Sequence, residues 1–231
     1  MKFHHSFQLS KLDKKKGLKL PEEISEEFAE FLGIHLGDGS MSKDYRYTYK
    51  VTYACNSVEV QYAQHITDLF ERLFGVRLRV IRDDKRHCVN LYYYSKTLCE
   101  FLNLVVGIPY GKKIDIRIPP LVMSNAKYAT AFIRGVFDTD GCITTQRDKG
   151  YKYILAKICT KHKTFADDLH HTLLSLNIPA FACVKSGRNF FGYDVTIRNK
   201  NVIKFFEIVG SNNQKNIEKW GRRDLNPDPL L

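Results

Sequence analysis

The stretch "FIRGVFDTDG" at residues 132–141 begins as an apolar helix and ends in Asp-Thr-Asp-Gly. A second stretch, "FLGIHLGDGS" at residues 31–40, also runs apolar-Gly-apolar and then ends in Asp-Gly. A carboxylate at a helix C-terminus faces the negative end of the helix dipole, which disfavours it. Two such endings in one chain therefore indicate acids that serve a purpose other than helix stability.

The two stretches open two copies of one longer pattern. With Asp38 placed over Asp140, 102 residues apart, each acid is followed by a hairpin rich in Tyr, Thr and Val, then a helix, a second hairpin and a final helix. The middle helix of each copy ends 37 residues beyond its acid, at Gly75 and at Asn177, and both residue types favour helix C-caps. The sequence predicts an α+β fold of two pseudo-symmetric αββαββα repeats.

The predicted repeats span residues 25–107 and 124–220. A connector at 108–123, whose prolines discourage helix, joins them, and two tails flank them, a basic one at 1–24 and another at 221–231. The first tail is weakly patterned and is expected either to be flexible or to lie on a phosphate backbone. Each repeat is close to the lower size limit for folding alone, so we expect one unit joined across the two motif helices.

Small residues on the motif helices explain how such a junction could form. Gly33 and Gly37 lie four residues apart on one helix face, and Gly135 and Thr139 match them in the second copy. Small residues at this spacing let two helix backbones approach closely. We therefore expect the two helices to pack against each other along these residues.

Helices packed in this way would end together and bring Asp38 close to Asp140, with Gly39 and Gly141 supplying the left-handed residue that ends each helix. Two such carboxylates repel each other unless a cation lies between them. Oxygen ligands of this kind suit Mg²⁺, and a metal beside a phosphodiester can activate water and stabilise the leaving oxygen. The alternative, that each Asp-Gly is only a turn, fits a single copy well and two matching copies poorly.

The charge of the chain favours a polyanionic partner. Its formal net charge is +11 and its pI is about 9.3, which is typical of nucleic-acid-binding proteins, although a basic protein without such a partner is the alternative. The hydrophobic content of 44% is that of an ordinary folded protein. There is no apolar run near 18 residues and no secretory signal pattern, so we expect no membrane partner.

The cysteines show no metal-binding spacing. None of the six is three residues from another, so the chain has no C-x-x-C pattern, and their mostly apolar surroundings predict buried thiols in a reducing compartment. The expected location is intracellular: cytoplasmic in a prokaryote, or organellar if an organelle encodes the chain. The six are Cys55, Cys88, Cys99, Cys142, Cys159 and Cys183.

The segments Phe31–Gly39 and Ile133–Gly141 resemble the nine-residue motif of the LAGLIDADG homing endonuclease family. The second copy, "IRGVFDTDG", is close to the motif. The first, "FLGIHLGDG", has Leu36 in place of the usual first acid and His35 in place of an aliphatic residue. "GIPYGKK", before the second copy, also looks like the family's linker, and the resemblance covers nearly everything from about residue 25 to 220.

The resemblance implies a monomeric, intron-associated nuclease in which two antiparallel sheets form a DNA-binding saddle. Such an enzyme cuts both strands of a long, asymmetric duplex site across the minor groove and leaves short 3′ overhangs. It implies that Asp38 and Asp140 bind Mg²⁺ with help from the backbone carbonyls of Gly37 and Thr139. Mn²⁺ is expected to substitute, and Ca²⁺ to bind without supporting cleavage.

The resemblance also implies further catalytic residues. A lysine at the end of the last strand of each half, here Lys96 and Lys200, would lie near the metal-bound water and stabilise developing charge. A polar residue before the middle helix commonly lines such a site, and counting back from the helix ends gives Glu59 and Lys161. A gap of one residue would substitute Asn56 or Ser57 for Glu59.

The polar faces of the strands are the expected contacts to base edges in the major groove. Ordinary solvated strand faces are the alternative, and true phosphate contacts would make binding strongly salt-dependent. The candidates in the first half are Lys43, Tyr45, Tyr47, Tyr49, Arg77, Arg79, Arg82, Asn90 and Tyr92. Those in the second half are Thr144, Gln146, Lys152, Lys157, Lys185, Arg188, Asn189 and Arg198.

Two other functions remain open on the same fold. Intron-RNA maturases bind host intron RNA and either keep or lose the acids, and a DNA-binding regulator would be marked by loss of an acid or by an added helix-turn-helix. Both acids are kept here, which favours cleavage of a double-stranded DNA target. A nuclease embedded in an intein would need flanking splicing segments, and we expect 231 residues to leave no room for them.

Overall fold

The computed structural model of the chain describes residues 3, 7–44, 48–148, 151–187 and 190–221. The first repeat consists of α2 (Glu26–Gly37), β1 (Gly39–Lys43), β2 (Tyr49–Asn56), α3 (Val60–Phe74), β3 (Arg79–Asp83), β4 (Cys88–Tyr94) and α4 (Lys96–Leu104). The second consists of α5 (Ala126–Asp140), β5 (Gly141–Asp148), β6 (Tyr151–Thr160), α6 (Lys163–Ser175), β7 (Phe181–Gly187), β8 (Phe190–Arg198) and α7 (Lys200–Ile208). Three short helices lie outside this pattern: α1 (Lys11–Lys16), a 3₁₀ turn at Pro120–Ser124, and α8 (Gln214–Gly221).

The two sheets have the same topology. The first has the strand order β1-β2-β4-β3 and the second β5-β6-β8-β7, with every neighbouring pair antiparallel. The register also repeats, since Gly39 pairs with Tyr53 in the first sheet and Gly141 with Ile158 in the second. The predicted α+β fold of two αββαββα repeats is confirmed.

Local sequence signals fix several helix ends. The Oγ of Ser25 accepts a hydrogen bond from the amide of Phe28 and so caps the start of α2. Gly75, directly after α3, has a φ of +69°, and Asn177, two residues after α6, has a φ of +57°. Both middle helices therefore end at left-handed residues where the sequence predicts them.

The glycines after the two acids are not left-handed, contrary to the prediction. Gly141 has a φ of −92° and a ψ of 158°, and Gly39 begins β1 directly. A Cβ on Gly39 would lie 2.6 Å from the Cα of His35, and one on Gly141 would collide with the carbonyl oxygen of Phe137. Glycine is needed here because each strand leaves its helix through a gap too narrow for a side chain.

The motif helices α2 and α5 pack backbone to backbone. A Cβ on Gly33 would collide with the carbonyl oxygen of Phe132, and one on Gly135 would collide with the carbonyl oxygen of Glu30. The predicted close approach through small residues is confirmed, and each helix uses its glycine in the same way. The core of both repeats is continuous through this contact.

A buried carboxylate strengthens the same interface. Glu30, on α2, accepts hydrogen bonds from His65 at 2.7 Å, from Arg134 of α5 at 3.3 Å and from Asn212 at 2.8 Å. Burial alone would raise the pKa of Glu30, yet the hydrogen bonds and charges of these partners lower it on balance. The two repeats are thus joined by a satisfied polar network as well as by apolar packing.

The N-terminal segment is part of the fold where the structure describes it. Asp13, on α1, is buried and accepts hydrogen bonds from Ser10 at 2.7 Å and from Thr97 of α4 at 2.9 Å. Phe7 packs its ring edge-on against Phe101. The described part of this segment is not a flexible tail, because a buried acid between two hydroxyl groups anchors it, and its contact with a phosphate backbone stays a prediction.

The described residues contain no helix long and apolar enough to cross a membrane. All six cysteines are free thiols. Cys55 and Cys99 are buried as predicted, whereas Cys183 is exposed because its position on β7 directs its side chain to the outward face of the second sheet. The remaining three are half-buried.

Candidate metal and nucleic-acid site

The two motif helices run side by side and end together. Gly37, the last residue of α2, lies against Thr139 of α5, and a Cβ built on Gly37 would be 3.4 Å from the Oδ2 atom of Asp140. Asp38 follows Gly37 directly, and Asp140 is the last residue of α5. The predicted meeting of the two acids is therefore present in the structure.

Both carboxyl groups are held where ionisation is unfavourable. Burial, followed by the neighbouring charge of Asp38, raises the pKa of Asp140 to about 6. Burial and the charge of Glu59 raise the pKa of Asp38. Two partly desolvated like charges at two helix C-termini form a site that attracts cations.

A lysine that sequence analysis missed lies at this site. The Nζ atom of Lys113 donates to the carbonyl oxygens of His35 at 2.8 Å, Leu36 at 2.7 Å and Gly37 at 2.8 Å. Burial lowers the pKa of Lys113 to about 8, although the charges of the two motif acids oppose this shift. Its ammonium group is a cation held by oxygen atoms at the end of α2.

The oxygen atoms present suit a hard divalent cation. The described residues contain no cluster of three or more His, Cys, Asp or Glu side chains that could hold a metal alone. Asp38, Asp140 and the carbonyl of Gly37 nevertheless form a group of oxygen donors. The Gly37 carbonyl already binds the ammonium of Lys113, and the charges of both acids favour that ammonium. Water and phosphate oxygens would have to supply the remaining ligands.

A cavity of about 320 Å³ opens beside Asp140. Its charged and polar lining includes Lys113, Lys161 and His162, the last two from the turn between β6 and α6. Lys161 thus lies where sequence analysis places it, in the same cavity as Asp140. His162 was not predicted, and burial is the main cause that lowers its pKa.

Glu59 marks the equivalent place in the first repeat. It precedes α3 and raises the pKa of Asp38 through its charge, which places the two carboxyl groups near each other. Its side chain accepts a hydrogen bond from Lys215 at 2.6 Å and another from Asn213 at 3.1 Å. Lys215, from α8, is a second lysine that sequence analysis missed.

Lys96 and Lys200 do not reach the acids. Asp38 lies beside β2, because its backbone carbonyl oxygen is 3.5 Å from the amide nitrogen of Ala54. The last residue of β4, by contrast, pairs with Lys50, which is four residues and about 13 Å from Ala54 along β2. Lys96 instead forms an ion pair with Glu100 at 3.5 Å.

The second repeat gives the same result. Gly141 pairs with Ile158, whereas the residue before Lys200, Asn199, bonds Ile154, four residues away along β6. The prediction of Lys96 and Lys200 is wrong because the strand end that lies at the acids is that of the second strand of each repeat, not the fourth.

Many of the predicted base-contacting residues lie on the outward sheet faces. The strand register and burial pattern place eight of them there: Arg79, Asn90, Tyr92, Thr144, Gln146, Lys157, Lys185 and Arg198. The same faces include four polar residues that were not predicted: Ser40, Ser42, Lys50 and Thr52. The alternating strand pattern was therefore a sound basis for predicting these faces.

Other candidates are not on those faces. Tyr49 points into the core, and Arg77 lies before β3, where it forms ion pairs with Glu71 at 2.9 Å and Asp68 at 3.3 Å. Arg82 and Lys152 occupy the inward register of their strands, and Lys43 lies at a strand end over the Tyr49 ring. Four further candidates, Tyr45, Tyr47, Arg188 and Asn189, lie outside the described residues.

The outward face of the second sheet also contains an acid. Asp194 is buried and lies 3.5 Å from the Nζ atom of Lys157 and 4.0 Å from that of Lys185. Arg198 stacks over the ring of Phe181, at 4.4 Å from the centroid. These pairings hold the cationic side chains in fixed positions on the face.

The unusual residues of the two motifs are structural. His35 is fully buried, and burial lowers its pKa to about 3, so the ring is neutral and its Nδ1 atom bonds the hydroxyl of Tyr53 at 3.0 Å. Asp138, the extra acid of the second motif, accepts hydrogen bonds from the Ser211 hydroxyl and from the amide of Asn212 at 2.8 Å. Neither side chain is available to a ligand.

Fold and site together define a protein of two pseudo-symmetric repeats that present a pair of acids between two outward-facing polar sheets. Comparison with known proteins agrees: residues 127–210 match the family model of the LAGLIDADG-like domain. The second repeat is therefore similar to the LAGLIDADG-like domain, which supports the resemblance of the chain to the LAGLIDADG homing endonuclease family.

Two curated proteins of different kinds each contain a segment that is similar to this chain. The chain is 29% identical over 212 residues to the replication factor C small subunit of Methanocaldococcus jannaschii, covering 89% of this chain and 11% of that protein. It is 23% identical over 208 residues to an A-type ATP synthase subunit of Pyrococcus abyssi, covering 80% and 20%. The chain thus spans at most a fifth of these relatives.

Two solved structures share the fold. The homing endonuclease I-DmoI in complex with DNA and Mn has a TM-score of 0.60 and 20% identity, and the match covers 80% of this chain and 96% of that one. The homing endonuclease I-WcaI bound to its DNA recognition sequence has a TM-score of 0.59 and 20% identity, with coverage of 91% and 90%. The likeness extends over both repeats.

Proposed function

We propose that the protein is a site-specific DNA endonuclease that uses a divalent metal ion to cut both strands of a long, asymmetric target. The observation that carries this proposal is the convergence of Asp38 and Asp140, two acids with raised pKa values, at one place between the two repeats. The match to the LAGLIDADG-like domain and the DNA-bound relatives of the same fold support it.

In this proposal the chain supplies oxygen ligands and positive charge. Asp38, Asp140 and the carbonyls of Gly37 and Thr139 would hold the metal. A bound Mg²⁺ would activate a water molecule and stabilise the leaving oxygen of a phosphodiester. Lys161, in the cavity beside Asp140, would stabilise charge that develops on the phosphate.

We infer that the outward sheet faces hold the duplex on either side of the acids. The net charge of +11 favours DNA phosphates, and the exposed Arg79 and Gln146 are of the types that pair with guanine and adenine. A single chain contains both halves of such an interface, so the active form is a monomer. Cleavage across the minor groove would leave short 3′ overhangs.

The proposed metal preference is Mg²⁺, with Mn²⁺ as a substitute and Ca²⁺ as a ligand that does not support cleavage. Structures of I-DmoI with DNA have been obtained with Ca and with Mn, which supports a site of this kind. The carboxylate and carbonyl donors fit all three ions.

The test is a cleavage selection on a random duplex library with Mg²⁺, followed by assays on the selected site. We expect one site to be cut, and we expect Asp38→Asn and Asp140→Asn to bind it without cutting both strands. The matched control is Asp84→Asn, an exposed aspartate in the β3–β4 turn, which should cut normally. If both motif variants cut like the control, or if the wild-type protein binds nucleic acid but cuts no duplex, the proposal is wrong.

A further inference from the structure

The side chain of Lys113 donates hydrogen bonds to the backbone carbonyls at the end of the first motif helix. Its three acceptors are the carbonyls of His35, Leu36 and Gly37, which all belong to the last turn of α2. Carbonyls in the last turn of a helix have no partner within the helix and carry its negative partial charge. One ammonium group therefore serves as a three-way cap at the point where the acids meet.

The segment that includes Lys113 is fixed to both repeats. The amide of Gly111 donates to the carbonyl of Met41, on β1, at 2.7 Å. On the other side of the lysine, the hydroxyl of Thr164, on α6, donates to the carbonyl of Ile116 at 3.0 Å. The ammonium group is thus delivered to the acid pair from backbone that is anchored on either side.

In the second repeat, a neutral side-chain amide rather than an ammonium group bonds a carbonyl at the end of the motif helix. Lys215 lies 75 residues after Asp140, as Lys113 lies 75 residues after Asp38, yet it pairs with Glu59 instead. The carbonyl of Asp138, at the end of α5, accepts from the side-chain amide of Asn213 at 2.9 Å. The two helix ends therefore differ, and Lys113 is the lysine that binds the helix carbonyls.

We propose that Lys113 is the built-in cation of the acid pair in the metal-free protein, and that a divalent ion must displace its ammonium group from the Gly37 carbonyl to bind there. Asp38 and Asp140 are close enough to Lys113 for their charges to act on it, and Gly37 supplies the same oxygen that is proposed for the metal. This inference rests on the proposed function only in taking the acid pair as a metal site. It makes Lys113 a positioning residue that holds the site together until the metal enters.

The experiment measures metal binding and stability in the DNA-free protein. Lys113→Met is compared with wild type and with Lys112→Met, which removes the exposed neighbouring lysine. In EDTA, we expect the Tm of Lys113→Met to fall by about 4 °C or more, whereas that of Lys112→Met stays near wild type. In Ca²⁺ titrations by calorimetry, we expect Lys113→Met to bind about tenfold more tightly than wild type, because the competing ammonium is gone.

A second variant separates charge compensation from simple capping. If Lys113 balances the acids, replacing it should lower the Tm less in an Asp140→Asn background than in wild type. A cap that acted only on the helix carbonyls would lower the Tm equally in both. Because the double variant has lost one of the repelling charges, it should still fold in EDTA even if Lys113→Met does not, and that result would itself be the larger loss in the wild-type background.

The outcomes separate this inference from the proposed function. Unchanged, weaker or undetectable Ca²⁺ binding by Lys113→Met overturns the inference, whatever the cleavage activity. So does an equal loss of Tm in the two backgrounds. Tighter Ca²⁺ binding by a protein that cuts no duplex would support the inference and reject the endonuclease.

Discussion

Asp38 and Asp140 combine burial with like charge, and both lie at the negative ends of helices. Each feature disfavours the ionised carboxylate, and the attraction of Lys113 reduces this cost for both without removing it, since the two pKa values remain raised. Residues that lower stability in this way are expected where function requires charge. The acid pair is therefore a site whose removal should strengthen the fold.

Asp140→Asn is expected to stabilise the metal-free protein near neutral pH by about 2 kcal/mol. The folded pKa of about 6 lies above the unfolded value of 3.8, so the destabilisation is complete above pH 6 and fades as the pH falls towards 3.8. The gain should therefore be small near pH 4 and disappear below about pH 3, where both states are protonated. Urea unfolding in EDTA across this pH range measures it.

Asp84→Asn is the control for this comparison and should change stability little at any pH, because its side chain is exposed. An Asp140→Asn protein that is less stable than wild type at neutral pH would show that Asp140 makes a net favourable contact.

Part of the site could be predicted from the sequence because spacing carries the information. Asp38 and Asp140 follow from the repeat, and counting back along the middle helices was enough to find Glu59 and Lys161. Lys113 lies in a linker without periodicity, and only the folded path of that linker brings it to α2. The one sequence signal for it was its matching offset to Lys215.

Among the elements, the α2–α5 pair decides how the acids meet. Gly33 and Gly135 contact backbone carbonyls rather than flexible side chains, so the helices have no way to accommodate a methyl group at these positions except by moving apart. Such a movement would shift the ends of both helices and separate the two carboxylates. Stability and site geometry therefore depend on the same two positions.

Gly33→Ala is expected to lower the free energy of unfolding by about 3 kcal/mol or more, because the added Cβ would collide with the carbonyl of Phe132. Gly221→Ala, at the end of α8, is the matched control, since a Cβ there meets no atom within 4 Å. Chemical denaturation of both variants measures the difference. Equal stabilities would mean that the helices are not in backbone contact at Gly33.

The elements themselves were largely predictable from periodicity and capping, as the left-handed Gly75 and Asn177 show. What the pattern could not give was the conformation of Gly39 and Gly141. An Asp-Gly sequence fits a left-handed turn and a crowded extended exit equally well, and only the neighbouring helix turn decides between them. The short helix α1 was also missed, because its stability comes from the buried contacts of Asp13.

In the whole molecule, two repeats of identical topology present different surfaces. The first outward face includes Asn90 and Arg79, whereas the second includes Gln146 and a lysine pair around Asp194. Divergence of this kind within one chain allows each half to read a different sequence. A target recognised by this protein should therefore be asymmetric about its centre.

This difference predicts a separation of specificity in the selected target. Asn90→Ala should relax the base preference in one half of the site only, and Gln146→Ala in the other half only, by about 1–3 kcal/mol at the affected base pair. The physical reason is that each side chain belongs to a different sheet, and an amide side chain bonds adenine through two hydrogen bonds that alanine cannot make. Repeating the library selection with each variant measures this.

Arg77→Ala is the control for that selection, because its guanidinium is held by Glu71 and Asp68 away from the outward face. It should leave the preferred sequence unchanged, and the salt dependence of binding should also stay close to that of wild type. If Asn90→Ala and Gln146→Ala alter the same base pairs, or alter only the centre of the target, the two sheets do not divide the site between them. The pseudo-symmetry would then belong to the fold alone and not to the way the protein reads its target.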